Sequence, residues 1–100
     1  VRVMRLSASD ITVIRALVEE RFGPNSGIWL FGSRLDDVAR GGDIDLYVES
    51  EYVRDENLFL AWQAIKRDLE RRLGQPVDLV INVGNTTAFM RQAREEGCRL

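Results

Sequence analysis

Histidine is absent from the 100 residues, which removes Ser-His-Asp and Cys-His catalysis and every histidine-ligated metal site. Acid-base or metal chemistry must fall to carboxylates. The single cysteine, Cys98, cannot form an internal disulfide and reads as a plain residue near the end of the sequence rather than a reactive thiol. No apolar run approaches the roughly 20 residues that cross a bilayer, and the first residues lack a signal peptide's apolar stretch. A cytoplasmic protein with no membrane association is therefore expected. Lysine is nearly missing, because 13 of the 14 basic residues are arginine, whose forked guanidinium suits phosphate and carboxylate. A net charge of −2 is far from the strongly basic balance of a general nucleic-acid binder, so direct nucleic-acid binding is not expected.

With 45% hydrophobic and 30% charged residues, the chain has the composition of an ordinary globular domain. The expectation is one domain over residues 1–100, with a single core and no room for a separate substrate domain. Ser7-Ala-Ser-Asp10 reads as a capped helix start, and Ile11, Ile14, Val18 and Phe22 form an apolar stripe up to Gly23-Pro24-Asn25. Strands are expected at about Ile28 to Phe31, Asp43 to Glu49 and Val77 to Ile81. A short helical turn is read through Arg34 to Val38, and a long helix from about Asp55 to Leu73, ended by Gly74 and followed by Pro76. A last helix, capped by Asn85 or Thr86, runs to about Glu96 and buries Phe89, Met90 and Ala93. Trp29, Trp62 and Phe89 all read as core residues. The cluster from Lys66 to Arg72 reads as an exposed helix face of paired charges.

Helices alternating with short strands give an α/β layer structure. Side chains on a strand alternate faces, so Ile44, Leu46, Val48 and Val77, Leu79, Ile81 point towards the helices. Asp43, Asp45 and Asp78 are left on the opposite face. Two acids at i and i+2 on one strand face can bind a hard divalent cation, which is usually shared between a few carboxylates and substrate phosphates. The companion feature is a phosphate-holding turn, and Gly32-Ser33 can supply it through a close-approaching backbone and a hydroxyl donor. Each part alone has an ordinary explanation: Asp-Ile-Asp can be a solvated strand face, and Gly-Ser a common turn. Their order and their placement on the expected elements give the set its weight.

Gly32-Ser33, a nine-residue spacer and Asp43-Ile44-Asp45, followed by the isolated acid of Pro76-Val77-Asp78-Leu79, resemble the signature of the DNA polymerase β-type nucleotidyltransferase superfamily. Within it, the chain resembles the minimal nucleotidyltransferase (MNT) branch over essentially its whole length. The resemblance implies a polymerase β-like α+β fold: a small mixed β-sheet with adjacent acid-bearing strands, helices packed on one face and an open acidic active-site face. It implies that Asp43 and Asp45 hold two Mg²⁺ ions, with Asp78 completing the metal site on the nucleophile side. Gly32 and Ser33 would hold the phosphates of ATP or another NTP, with Arg34 assisting. In the reaction so implied, a hydroxyl attacks the α-phosphorus and pyrophosphate leaves.

The resemblance further implies an antitoxin of a HEPN-MNT toxin–antitoxin system. Such a protein transfers AMP from ATP to a tyrosine of a HEPN-domain ribonuclease toxin encoded by a neighbouring gene, and a hetero-oligomer with that partner is expected. Two alternatives remain open. One is a non-catalytic antitoxin that neutralises by binding, although binding alone gives no reason for three convergent carboxylates. The other is a small-molecule nucleotidyltransferase of the aminoglycoside type, which the missing substrate-domain length disfavours.

Overall fold

A computed structural model describes residues 6–31, 44–51, 57–84 and 86–100. Helix α1, Ala8–Phe22, starts with a reciprocal cap: the Asp10 N–H donates to the Ser7 hydroxyl and the Ser7 N–H to the Asp10 carboxylate, at 3.1 and 3.2 Å. Its expected stripe is buried at Ile14, Val18 and Phe22, with Ile11 packed alongside.

Strand β1, Gly27–Phe31, pairs antiparallel with β2, Ile44–Glu49. Helix α2, Leu58–Leu73, carries the chain back, so that β3, Val77–Asn82, lies parallel to β2. This is the crossover that parallel strands require. Asn57 caps α2, accepting from the Phe59 N–H at 2.8 Å in an extended conformation, so the helix begins after it. The expected start at Asp55 lies outside the described residues. Gly74, at φ 72°, ends α2 in the left-handed region that glycine adopts without steric cost.

Helix α3, Ala88–Glu96, is capped by Thr87, whose hydroxyl accepts from the Met90 N–H at 3.1 Å. The expected cap was one or two residues earlier. Thr86 instead accepts a hydrogen bond from the Asn82 amide, and Asn85 lies outside the described residues. A two-residue strand unmarked by the sequence, β4, Cys98–Arg99, pairs antiparallel with β1. Gly97 makes this return possible, since a Cβ there would lie 2.4 Å from the Ala93 carbonyl oxygen and 2.9 Å from that of Leu30.

The result is a mixed sheet of order β3-β2-β1-β4 in an α+β fold. Ile28, Leu30, Ile44, Leu46, Val48, Val77 and Leu79 are buried on the face that meets α1 and α2. Each such side chain contributes about 1.5–3 kcal/mol by leaving water. The expectation of helices on one face holds for α1 and α2. Helix α3 lies against the other face, where Ala93 and Met90 pack on Trp29 and Tyr47. Phe89, expected in the core, is 51% exposed. Of the expected core tryptophans, Trp29 is buried and Trp62 half-buried.

Strand β3 is a sheet edge, and α2 covers part of it. The Pro76 and Asn82 carbonyls bond to β2 through the Ile44 and Ser50 N–H groups, so the alternate residues Val77 and Leu79 turn their backbone groups outward. The Val77 N–H donates to the Glu70 carboxylate at 2.9 Å, and the Trp62 indole donates to the Leu79 carbonyl at 2.7 Å. Two groups that could template another strand are thereby occupied. Lys66 and Glu70 also form an ion pair at 2.8 Å, matching the paired-charge reading of this helix face, as does Arg71 with Asp68.

The hydrogen bond from Lys66, followed by that from the Val77 N–H, holds the Glu70 carboxyl below its ordinary value of 4.5. A carboxyl depressed by folding stabilises above its unfolded pKa, and this contribution is lost as pH falls through the folded value. Glu70→Gln is therefore expected to lower the urea midpoint near neutral pH. The gap from the wild type should shrink progressively below about pH 4.5. A gap that does not change with pH would show that the charge of Glu70 contributes nothing.

Candidate active site on the second sheet face

The face away from α1 and α2 is ordered in rows across the strands. Gly27, Glu49 and Asn82 form one row, Trp29, Tyr47 and Val80 the next, and Phe31, Asp45 and Asp78 the third. Asp45 and Asp78 are direct partners in the parallel ladder, on strands about 4.8 Å apart. Their apolar chain neighbours Ile44, Leu46, Val77 and Leu79 are buried beneath the sheet, which fixes both acids on the upper face. Asp78 is exposed and Asp45 half-buried. The hydrogen bond from the Ile44 N–H to the Pro76 carbonyl, 3.0 Å, locks this register just beside the acids.

Like charges opposite one another on a sheet repel. Among the described residues, Asp78 has no hydrogen bond or ion pair to offset this. Adjacent hard oxygen donors, one of them open to solvent, are the donor chemistry that Mg²⁺ selects. The described residues thus fit a divalent cation at Asp45 and Asp78. Asp43, Gly32, Ser33 and Arg34 lie outside the described residues, and among the described residues no group of three or more acidic, cysteine or histidine side chains forms a metal cluster. In sequence, Gly32 follows Phe31, the ladder partner of Asp45, and Asp43 precedes Ile44.

The other end of the face is already satisfied. The buried Tyr47 hydroxyl donates to Glu49 at 2.6 Å and accepts from the Asn82 amide at 3.0 Å. Burial, reinforced by the bond to Glu49, raises the phenol pKa above 10.0 and keeps it a donor at neutral pH. Arg94 pairs with Glu49 at 3.4 Å, and the Arg94 and Arg99 guanidiniums lie 5.4 and 5.2 Å from the Trp29 ring centroid. A cleft of about 860 Å³ opens beside these groups, lined by Trp29, Glu49, Asn82, Arg94 and Arg99 among others, and it excludes both aspartates. The sequence reading missed this network because its members lie far apart in the chain and carry no motif spacing.

With nothing bound, Asp78→Asn is expected to stabilise the fold by about 0.2–1 kcal/mol through relief of the Asp45 repulsion. Adding Mg²⁺ should raise the melting temperature of the wild type and leave the variant unmoved. Thermal melts in chelator and then in Mg²⁺ check both halves, and an equal rise in both proteins would remove Asp78 from the metal site.

No described helix is long and apolar enough to cross a membrane. No curated protein sequence matches the chain. The family model of the nucleotidyltransferase domain matches residues 11–98, a span that holds most of α1, all three longer strands and both acid positions, and the chain therefore belongs to the nucleotidyltransferase domain family.

Proposed function

We propose that this domain transfers a nucleotide, AMP from ATP in the first instance, to a hydroxyl presented by a second protein. We further propose that the acceptor is a tyrosine of a HEPN-domain ribonuclease partner, silenced by the modification, so that the domain acts as the antitoxin. The observation that carries nucleotidyl transfer is the in-register pair Asp45 and Asp78 on a partly solvent-exposed sheet face. Family membership supports the same reaction class.

In the proposed reaction, the acceptor oxygen forms a bond to the α-phosphorus. The bond from that phosphorus to the oxygen bridging to the β-phosphate breaks, pyrophosphate leaves with the electron pair, and the acceptor proton is released. Asp45, with Asp43 by resemblance, would hold Mg²⁺, which when bound neutralises charge on the attacking and leaving oxygens. Asp78 lies on edge strand β3, exposed, where an acceptor hydroxyl can approach without crossing the sheet. Its carboxylate orients that hydroxyl and can accept its proton. Gly32, Ser33 and Arg34 are proposed to hold the phosphates, since they follow β1 directly. Correct orientation is itself a large part of such catalysis, which gives a partner surface that presents the hydroxyl a direct role in rate.

The test is to incubate the domain with the purified neighbouring gene product, ATP and Mg²⁺, and to weigh the partner intact by mass spectrometry. The partner is expected to gain whole AMP units, and Asp45→Asn or Asp78→Asn should abolish the gain. A partner whose mass stays unchanged while its activity is suppressed in a tight complex would show neutralisation by binding alone. AMP transfer to an aminoglycoside but not to the protein would place the acceptor among small molecules.

A further inference from the structure

Phe89 stands in the first turn of α3, 51% exposed, and its ring meets that of Phe31 edge-on at 5.4 Å between centroids. Met90 and Ala93 already seat α3 on the sheet, so the Phe89 ring is not needed to anchor the helix. A lone exposed phenylalanine is ordinary in itself. Its position is informative, because Phe31 is the ladder partner of Asp45 on the same face. Across the sheet the order is Asp78, Asp45, Phe31, with the Phe89 ring set against Phe31.

We propose that Phe89 stacks on the nucleobase of the bound nucleotide, so that the base lies on the β1 side of Asp45. This rests on the nucleotidyl-transfer reading and adds to it the place of the nucleoside. Phosphates held through a cation at Asp45 and Asp78 leave the nucleoside two lateral directions. One leads over Asp78 and off the β3 edge, where the acceptor approaches. The other leads over Phe31 to Phe89, one strand spacing of about 4.8 Å plus the ring separation, a reach that a ribose and base can bridge. Nucleobases stack on aromatic faces whatever their hydrogen-bonding edges, so an exposed phenyl ring holds a base without selecting strongly among bases.

Calorimetry in Mg²⁺ with ATP and with inorganic tripolyphosphate separates base from phosphate binding. The wild type is expected to prefer ATP. Phe89→Ala should weaken ATP binding about five- to hundredfold while leaving tripolyphosphate binding unchanged. Phe89→Leu, which keeps apolar bulk without a π-face, should follow the alanine variant, and Phe89→Tyr should retain wild-type affinity. The leucine and tyrosine variants decide the matter if the alanine variant folds poorly. Wild-type ATP affinity in Phe89→Leu, with Asp45→Asn still abolishing binding of both ligands, would overturn the stacking role and leave the transfer reading intact. Unchanged ATP affinity combined with loss of partner modification would assign the ring to the acceptor and also overturn the proposal. A wild type that binds neither ligand in Mg²⁺ would overturn the transfer reading and this inference together.

Discussion

The parallel register of β2 with β3 is the constraint on which the rest depends. With period-two side chains, a slip of one residue would send Asp78 beneath the sheet among Leu30, Leu46 and Ile65, and bring Val77 or Leu79 up beside Asp45. Burial of a carboxylate in that layer would cost several kcal/mol. The core thus enforces the register that the site requires. Both ends of the ladder are held as well, by the Ile44 N–H on the Pro76 carbonyl and the Ser50 N–H on the Asn82 carbonyl. The Ser50 hydroxyl adds a bond to the Phe22 carbonyl at the end of α1, so the same strand end is tied to the helix layer.

Much of this was legible in the sequence, for identifiable reasons. The Ile14, Val18 and Phe22 stripe and the alternation in Ile44 to Val48 are periodic signals in which burial decides the outcome. The same alternation put Asp45 and Asp78 on the face away from α1 and α2, where they are found. That their strands are neighbours followed from the family resemblance, because periodicity alone does not choose neighbouring strands, whereas their direct pairing is seen only in the ladder register. Helix α3 was read less well. Asn85, Thr86 and Thr87 can all cap a helix, and only the path of the chain after Asn82 selects Thr87. Phe89 shares a helical stripe with Ala93, so spacing predicts burial for both. Ala93 sits over Trp29 and Tyr47, whereas the Phe89 ring reaches Phe31 and stays largely in solvent. Strand β4 is too short to carry any alternation, and the close approach at Gly97 that creates it is a tertiary fact.

The three rows of the second face divide the work. The polar row closes on itself, since Glu49 has Tyr47 and Arg94, and Asn82 has Tyr47, Thr86 and the Gly84 N–H. The aromatic row, roofed by Ala93 and Met90, separates it from the acids. Four residues of strand put Glu49 about 13 Å from Asp45 along the sheet. That exceeds the screening length of about 8 Å at physiological salt. Arg94, largely exposed and paired with Glu49, therefore gives the acid row little countercharge.

Arginine makes up nearly all of the basic residues, yet among the described residues no ion pair reaches Asp78. An arginine placed there would have relieved the repulsion with Asp45 and stabilised the fold, at the expense of the oxygen atoms a cation needs. Among the described residues, the protein instead keeps one carboxylate exposed and unpaired beside another. The resulting strain is small, a fraction of the stability that the apolar layer beneath supplies, because each carboxylate remains at least partly in water. A cation bound with a polyphosphate would bring countercharge to Asp78 when substrate is present. In the proposed reaction the exposed carboxylate of Asp78 couples metal binding to nucleotide binding, since a triphosphate approaching it is repelled unless a cation lies between them.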